Sequence, residues 1–154
     1  MRSTISFPLA AVCAAAFVLS SCASLQRAND EGVVRQVVDL INGGQAARLE
    51  SMSATPFLLD GEIVALPADV ATFWDTIVKA GFRVEGAALD RGAPVTADSY
   101  RSFADTMEVR SFFSRHVSRG ARLLELRTNS GRRILIVAAP GWFTVKIIGF
   151  KGPF

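Results

Sequence analysis

The chain has 154 residues, half of them hydrophobic, and its 17 basic and 14 acidic side chains give a net charge of +3. A balance this close to neutral gives no reason to expect a nucleic-acid partner. The length suffices for one domain with a hydrophobic core and is short for two.

The first 21 residues are organised like an export signal. A basic residue, Arg2, precedes an apolar run from Leu9 to Val18, and the segment Leu19-Ser20-Ser21-Cys22 follows. The apolar run has about ten residues, whereas a helix needs about 20 to cross a bilayer. We therefore expect a cleaved signal peptide and not a permanent membrane span.

The segment Leu19-Ser20-Ser21-Cys22 resembles the lipobox of bacterial lipoproteins. In that family the signal is cut before the cysteine, whose thiol is joined to diacylglycerol, and the new amino group is usually acylated, as by palmitate. The resemblance implies that Cys22 is the lipidated residue. Neither Ala23 nor Ser24 is the aspartate that commonly keeps lipoproteins in the inner membrane, which implies the outer membrane if the organism has one. The alternative is an ordinary secretory signal with a chance cysteine.

Cleavage before Cys22 divides the chain into three predicted parts. Residues 1–21 form the signal peptide, residues 22–29 a lipidated tether of small and polar residues, and residues 30–154 one globular domain. Cleavage also removes Cys13, the other cysteine, and lipid occupies the thiol of Cys22. The exported chain then has no disulfide, which excludes folds built on a disulfide framework.

The first half of the domain is predicted to contain two helices and a hairpin. The first helix follows from apolar residues on one face, namely Val33, Val34, Val37, Val38 and Ile41. Asn29 or Asp30 would cap its start, and Asn42-Gly43-Gly44 would end it. A shorter helix is predicted from Ala46, Ala47, Leu49 and Met52. Residues 57–64 then indicate two short strands around the Asp60-Gly61 turn.

A third helix and a less regular segment come next. Pro67 suits a first helical turn, Gly81 suits a helix end, and the apolar face between them is Val70, Phe73, Trp74 and Ile77. Phe82 and Val84 then indicate a strand, and residues 90–94 a loop. Residues from Ala97 to Met107 are weakly helical, and those from Val109 to Val117 strongly so. Asp105 and Glu108 have the spacing of a capping box for this last helix.

The last third has the composition of strands. Three runs rich in β-forming residues, 121–128, 132–139 and 142–150, are separated by Asn129-Ser130-Gly131 and Pro140-Gly141. They predict an antiparallel meander. Helices packed on one face of a curved antiparallel sheet would bury both sets of apolar residues, so the sequence predicts an α+β fold.

This order of elements resembles the nuclear-transport-factor-2-like, or SnoaL-like, cone fold. The likeness lies in the helix-rich first half and in a closing strand such as residues 141–147. The helical stretch from Ala97 to Val117 departs from the pattern, in which strands follow the third helix. The resemblance implies a possible cavity and a dimer through the outer face of the sheet.

Catalytic groups are scarce in the sequence. His116 is the single histidine, and no serine lies in a Gly-x-Ser-x-Gly turn. His116 also falls on the apolar face of the last predicted helix, where a partly buried structural role is the alternative. No cluster of residues has the spacing of metal ligands, and no cofactor is predicted.

Two groups of residues are candidates for binding. Four arginines, Arg110, Arg115, Arg119 and Arg122, fall within thirteen residues. Their fork-shaped donors could hold the phosphates of anionic lipids or the carboxylates of a partner protein. The alternative is a solvated surface paired with the acidic first half. Trp74, Tyr100 and Phe112 could line a pocket for a small apolar ligand, or form ordinary core.

The sequence predicts a membrane-anchored envelope lipoprotein with a domain that binds a partner or ligand without catalysis. The alternative is a small cavity enzyme of the isomerase or lyase type, with His116 as base and Tyr100 as donor. That enzyme requires His116 to face a cavity.

Overall fold

The structure, a computed structural model, describes residues 10–141 and 144–154, with the backbone alone for residues 10–22. Within this part of the chain there are four α-helices, one 3-10 helix and six strands. In chain order they are α1 (Ala10–Asn42), α2 (Ala46–Met52), β1 (Ser53–Leu59), β2 (Glu62–Val64), α3 (Pro67–Lys79), β3 (Ala88–Pro94), the 3-10 helix (Ser99–Ser102), α4 (Met107–His116), β4 (Arg122–Arg127), β5 (Arg133–Pro140) and β6 (Val145–Lys151). Among these residues, no helix combines the length and the apolar character needed to span a bilayer.

The six strands form one curved mixed sheet in the order β2-β1-β6-β5-β4-β3. Neighbours are antiparallel except β1 and β6, which run parallel. Helices α1, α2 and α3 pack on one face, called here the inner face, and α4 with the 3-10 helix packs on the outer face. The predicted α+β fold is confirmed, and the arrangement is consistent with the NTF2-like fold. Two details of the prediction are wrong: the sheet is mixed and not antiparallel, because β1 and β6 run parallel, and helices cover both faces and not one, because α4 buries Phe112 and Phe113 on the outer face.

The hairpin and α3 form where local residues specify them. Asp60 and Gly61 both have positive φ, 51° and 106°, as a two-residue hairpin turn requires. Pro67 begins α3, and Gly81, with φ of 70°, follows its end. The predicted hairpin, the predicted α3, the short helix α2 and the three predicted strands of the last third are all confirmed, apart from residues 142 and 143, which lie outside the described part.

The segment between α3 and α4 differs from the prediction. Phe82 and Val84 are not in a strand, and the predicted loop 90–94 belongs to β3. The amide of Asn42 explains the first difference, because it bonds to both the N–H and the C=O of Val84, at 2.8 and 3.0 Å, as a strand neighbour would. The second arises because β3 is an edge strand, which tolerates Pro94 at its end.

Two predicted helix starts are wrong. Helix α1 runs through Asn29 and Asp30 without a break, because the Asp30 carboxylate is used in an ion pair with Arg122 and not as a cap. The cap of α4 is Thr106, whose hydroxyl accepts a hydrogen bond from the N–H of Val109 at 3.3 Å. Asp105, the predicted cap, lies 3.8 Å from Arg101 instead.

Two hydrophobic cores lie on opposite faces of the sheet. The inner core joins α1, α2 and α3 to the sheet, and the outer core lies beneath α4 and the 3-10 helix. Strand β5 contributes to both through alternate residues: Ile134, Ile136 and Ala138 face inward, and Leu135, Val137 and Ala139 face outward. The sheet is therefore sandwiched between helices at its centre.

Candidate functional site

A cleft of about 400 Å³ opens on the outer face beside the 3-10 helix, and we call it the outer cleft. Its polar lining residues are Arg91, Thr96, Asp98, Ser99, Ser102, Glu125 and Arg133, and its apolar ones are Ala93, Pro94, Leu123, Leu135 and Phe154. The cleft is built mainly on β3, β4 and β5, whose backbones are held by antiparallel pairing that is interrupted only by a register shift between Leu89 and Arg91 of β3. A recess on paired strands is a more rigid frame for binding than one between loops.

A register shift in β3, together with side-chain alternation in β4 and β5, brings the charged residues of the outer cleft together: Leu89 faces the inner core, whereas Arg91 faces the cleft. Arg91 of β3 lies directly opposite Glu125 of β4 in the register. From the other side, the Arg133 guanidinium on β5 donates to the Glu125 carboxylate at 3.2 Å. Glu125 therefore lies between two arginines, and together they present fork-shaped donors above an apolar floor formed by Leu123 and Leu135.

Phe154 closes one side of the outer cleft. Its backbone N–H and C=O both bond to Arg133, at 3.1 and 3.0 Å, which extends the β5 pairing by one residue. Two cations contact the Phe154 ring by cation–π interactions. The Arg133 guanidinium lies 4.8 Å from the ring centre, and the Lys151 ammonium lies 5.3 Å from the same centre. The combination suits a ligand with an acidic group and an apolar or aromatic body.

The predicted catalytic residue His116 is on the surface. It occupies the last turn of α4, is exposed, and packs its ring 5.3 Å from that of Phe112. The ring contact agrees with its place on the apolar face, but the predicted partial burial is wrong, because His116 is the last residue of α4 and its side chain is exposed. His116 is not among the residues that line the outer cleft.

The three aromatic residues predicted to line a pocket are divided between the two cores. Trp74 is fully buried in the inner core, where its indole N–H donates to the Ser53 hydroxyl at 2.8 Å. Tyr100 and Phe112 are buried in the outer core. The Tyr100 hydroxyl accepts a hydrogen bond from Arg101, which raises the pKa of that guanidinium. The sheet therefore separates Trp74 from the other two, and the three do not share one cavity.

The four predicted arginines also separate. Arg110, Arg115 and Arg119 are exposed, on α4 and the loop that follows it. Arg122 instead points to the inner face and forms a two-bond ion pair with Asp30 of α1, at 3.0 and 2.5 Å. Asp30 is only 3% exposed. Gly92 lies against this carboxylate so closely that a Cβ there would collide with it.

Sequence reasoning missed the two features that the fold assembles. Arg91 lay in the predicted loop 90–94, and Arg133 gave no sign of a shared site with it. The Asp30–Arg122 pair joins residues 92 positions apart, and no local pattern marks such a pair. Among the side chains that the structure describes, no three histidine, cysteine, aspartate or glutamate residues are placed to hold a metal ion.

The predicted lipidation site lies outside the described side chains. The backbone of Cys22 is within α1, but the structure describes nothing of its thiol. Lipidation at Cys22 and the signal peptide before it therefore remain predictions. Comparison of the chain with protein-family models and with curated proteins gives no match.

Proposed function

We propose that the chain is an envelope lipoprotein, held on a membrane by lipid on Cys22, whose α+β domain binds a ligand at the outer cleft. The observation that carries the binding role is the placement of Arg91 and Arg133 on the two strands that flank β4, around an apolar floor. The lipobox-like segment before Cys22 supports the anchor, and its position after an apolar run supports export.

The cavity enzyme finds less support in the same geometry. The inner side of the sheet, where a cone-fold enzyme would hold its substrate, is filled by the aromatic cluster of Phe57, Phe73, Trp74 and Phe150, with ring centres 4.7 to 6.3 Å apart. His116 is exposed and Tyr100 is bonded to Arg101. The two groups proposed for acid–base chemistry therefore do not converge on a reacting atom.

The anchor is tested by replacing Cys22 with serine. The wild-type chain, purified from membranes, is expected to have lost residues 1–21 and to carry the added mass of a diacylglycerol and a fatty acid. The Cys22→Ser chain is expected to lack that mass and to move from the membrane pellet to the soluble fraction. Cys13→Ser is the matched control, because cleavage would discard that residue. A wild-type chain without lipid would refute the anchor.

The binding role is tested by native mass spectrometry of the full chain released gently from the envelope. We expect a small-molecule adduct at one copy per chain, with its occupancy reduced about tenfold in Arg91→Ser because an arginine–carboxylate pair at a partly desolvated site is lost. Arg83→Ser removes an exposed arginine outside the outer cleft and should leave the adduct unchanged. An adduct equally bound by both variants would refute this site.

A further inference from the structure

Helix α1 is fixed to the rest of the domain at two points that set its direction. At its C-terminal end the Asn42 amide is bonded to Val84, and twelve residues earlier the Asp30 carboxylate is bonded to Arg122. At 1.5 Å per residue these points lie about 18 Å apart along the helix axis. Cys22 lies eight residues beyond Asp30 in the same helix, about 12 Å further along.

This direction places Cys22 at one particular end of the domain, which we call the anchor end. Here β3 and β5 finish and β4 and β6 begin. Gln26 and Asn29 of α1 share a recess with Gly120 and Pro140, so the helix leaves the domain beside the loop before β4 and the end of β5. The segment between Cys22 and Asp30 also exposes Leu25, an apolar side chain facing solvent near the anchor.

The anchor end is basic. Arg115 and Arg119 lie at the end of α4 and in the loop before Gly120, and Lys146 lies at the start of β6. The Lys146 ammonium donates a hydrogen bond to the C=O of Ser51. The preceding residue, Glu50, therefore places a carboxylate in the same region. Arg27, also in this region, is already paired with Glu31 at 3.0 Å. Among the side chains named at this end, the cations of Arg115, Arg119 and Lys146 therefore outnumber the carboxylate of Glu50.

We infer that the anchor end docks on the anionic headgroups of the same bilayer that holds the lipid on Cys22, an inference that rests on the proposed lipidation. Gln26, in the recess at the anchor end, is four residues from Cys22, about 6 Å along the helix, so this end lies close to the surface. A cation within a Debye length, about 8–10 Å, is attracted to anionic lipid. Lipid and basic surface act together as two membrane signals. The opposite end of the domain, with the turn at Asn129–Gly131, points away from the bilayer.

The test measures which end of the domain lies near the lipid. The processed chain offers no free thiol, since Cys13 is removed and Cys22 is modified, so one introduced cysteine takes one fluorophore. Ser118→Cys labels the anchor end, and Ser130→Cys, which replaces another exposed serine beyond the other end of β4, is its matched control. The lipidated chain is placed in phosphatidylcholine vesicles containing about one third phosphatidylglycerol and a headgroup quencher.

We expect the label at position 118 to be quenched at least about threefold more than the label at position 130. Arg115→Ser with Arg119→Ser should reduce quenching at position 118 to the value found with phosphatidylcholine alone. Arg83→Ser with Arg132→Ser removes the same charge from other exposed positions and should change nothing. A cooperative urea unfolding transition, with a midpoint near that of the wild type, shows that each variant is folded.

Equal quenching at the two positions, or a basic-residue variant that behaves like the wild type, overturns the docking. The mass of the purified chain separates this outcome from failure of the proposed function. A chain that carries lipid but shows equal quenching rejects the orientation alone. A chain without lipid rejects the anchor, and with it the geometry on which the docking depends.

Discussion

Replacement of Arg122 by alanine is expected to lower the free energy of unfolding by about 3–4 kcal/mol. The change leaves the carboxylate of Asp30 buried, at 3% exposure, with the amide of Gln26 at 3.2 Å as a remaining donor. A buried charge that loses its partner retains its desolvation cost, which is why removing one member costs more than the pair contributes. Urea denaturation followed by circular dichroism measures the change.

Arg127→Ala is the matched control for Arg122→Ala. Arg127 ends the same strand and pairs with Asp90 at 3.3 Å, but both side chains are largely exposed, at 60% and 43%. Such a pair contributes about 0–1 kcal/mol, so the control should unfold almost as the wild type does. Equal losses in the two variants would show that Asp30 is not buried as the structure has it.

Replacement of Trp74 by alanine is expected to cost about 3–5 kcal/mol and to leave the domain marginally folded. Trp74 is fully buried, and its ring contacts those of Phe57, Phe73 and Phe150 at centre distances of 6.1, 4.7 and 5.6 Å. The alanine variant opens a cavity at the junction of α3 with the sheet. Because the variant lacks the indole of Trp74, its fluorescence cannot be compared with that of the wild type, and circular dichroism is the better measurement.

Trp74→Phe separates packing from hydrogen bonding. It keeps an aromatic ring but removes the N–H that donates to the Ser53 hydroxyl, so we expect a loss of about 1–2 kcal/mol. A small effect of Trp74→Ala, close to that of Trp74→Phe, would indicate a loose inner face. That result would restore the cavity enzyme as a hypothesis, since a substrate could then occupy the space.

The sequence predicted secondary structure correctly where neighbouring residues specify the backbone conformation. Asp60-Gly61 and Pro67 determine a turn and a helix start through φ values that few other residues adopt so readily. Gly92 and Pro94 led to the wrong prediction of a loop at residues 90–94, because both residue types are typical of turns. In the fold Gly92 is needed for the approach of Asp30, and Pro94 is accepted at a strand edge.

The candidate site is formed by residues that are distant in sequence, so local sequence patterns could not predict it. The arginines between 110 and 122 were grouped by their closeness in the chain, but a helix, a loop and a strand carry them to different sides. Arg91 and Arg133 are far apart in sequence and meet only through the pairing of β3 with β4 and of β4 with β5. The face on which a strand side chain lies depends on register, and the register shift between Leu89 and Arg91 that turns Arg91 toward the cleft has no signal in the sequence.

The parallel pairing of β1 with β6 also has a consequence for the order of folding. Ser53 lies beside Ile147, so the hairpin near the start of the domain and the meander at its end become one sheet only when the last strand arrives. Pairing so distant in sequence is slow to form, because a long loop must close first. A chain that emerges N-terminus first would thus complete its inner core only after the last strand, which supplies Ile147 and Phe150 to that core, had emerged.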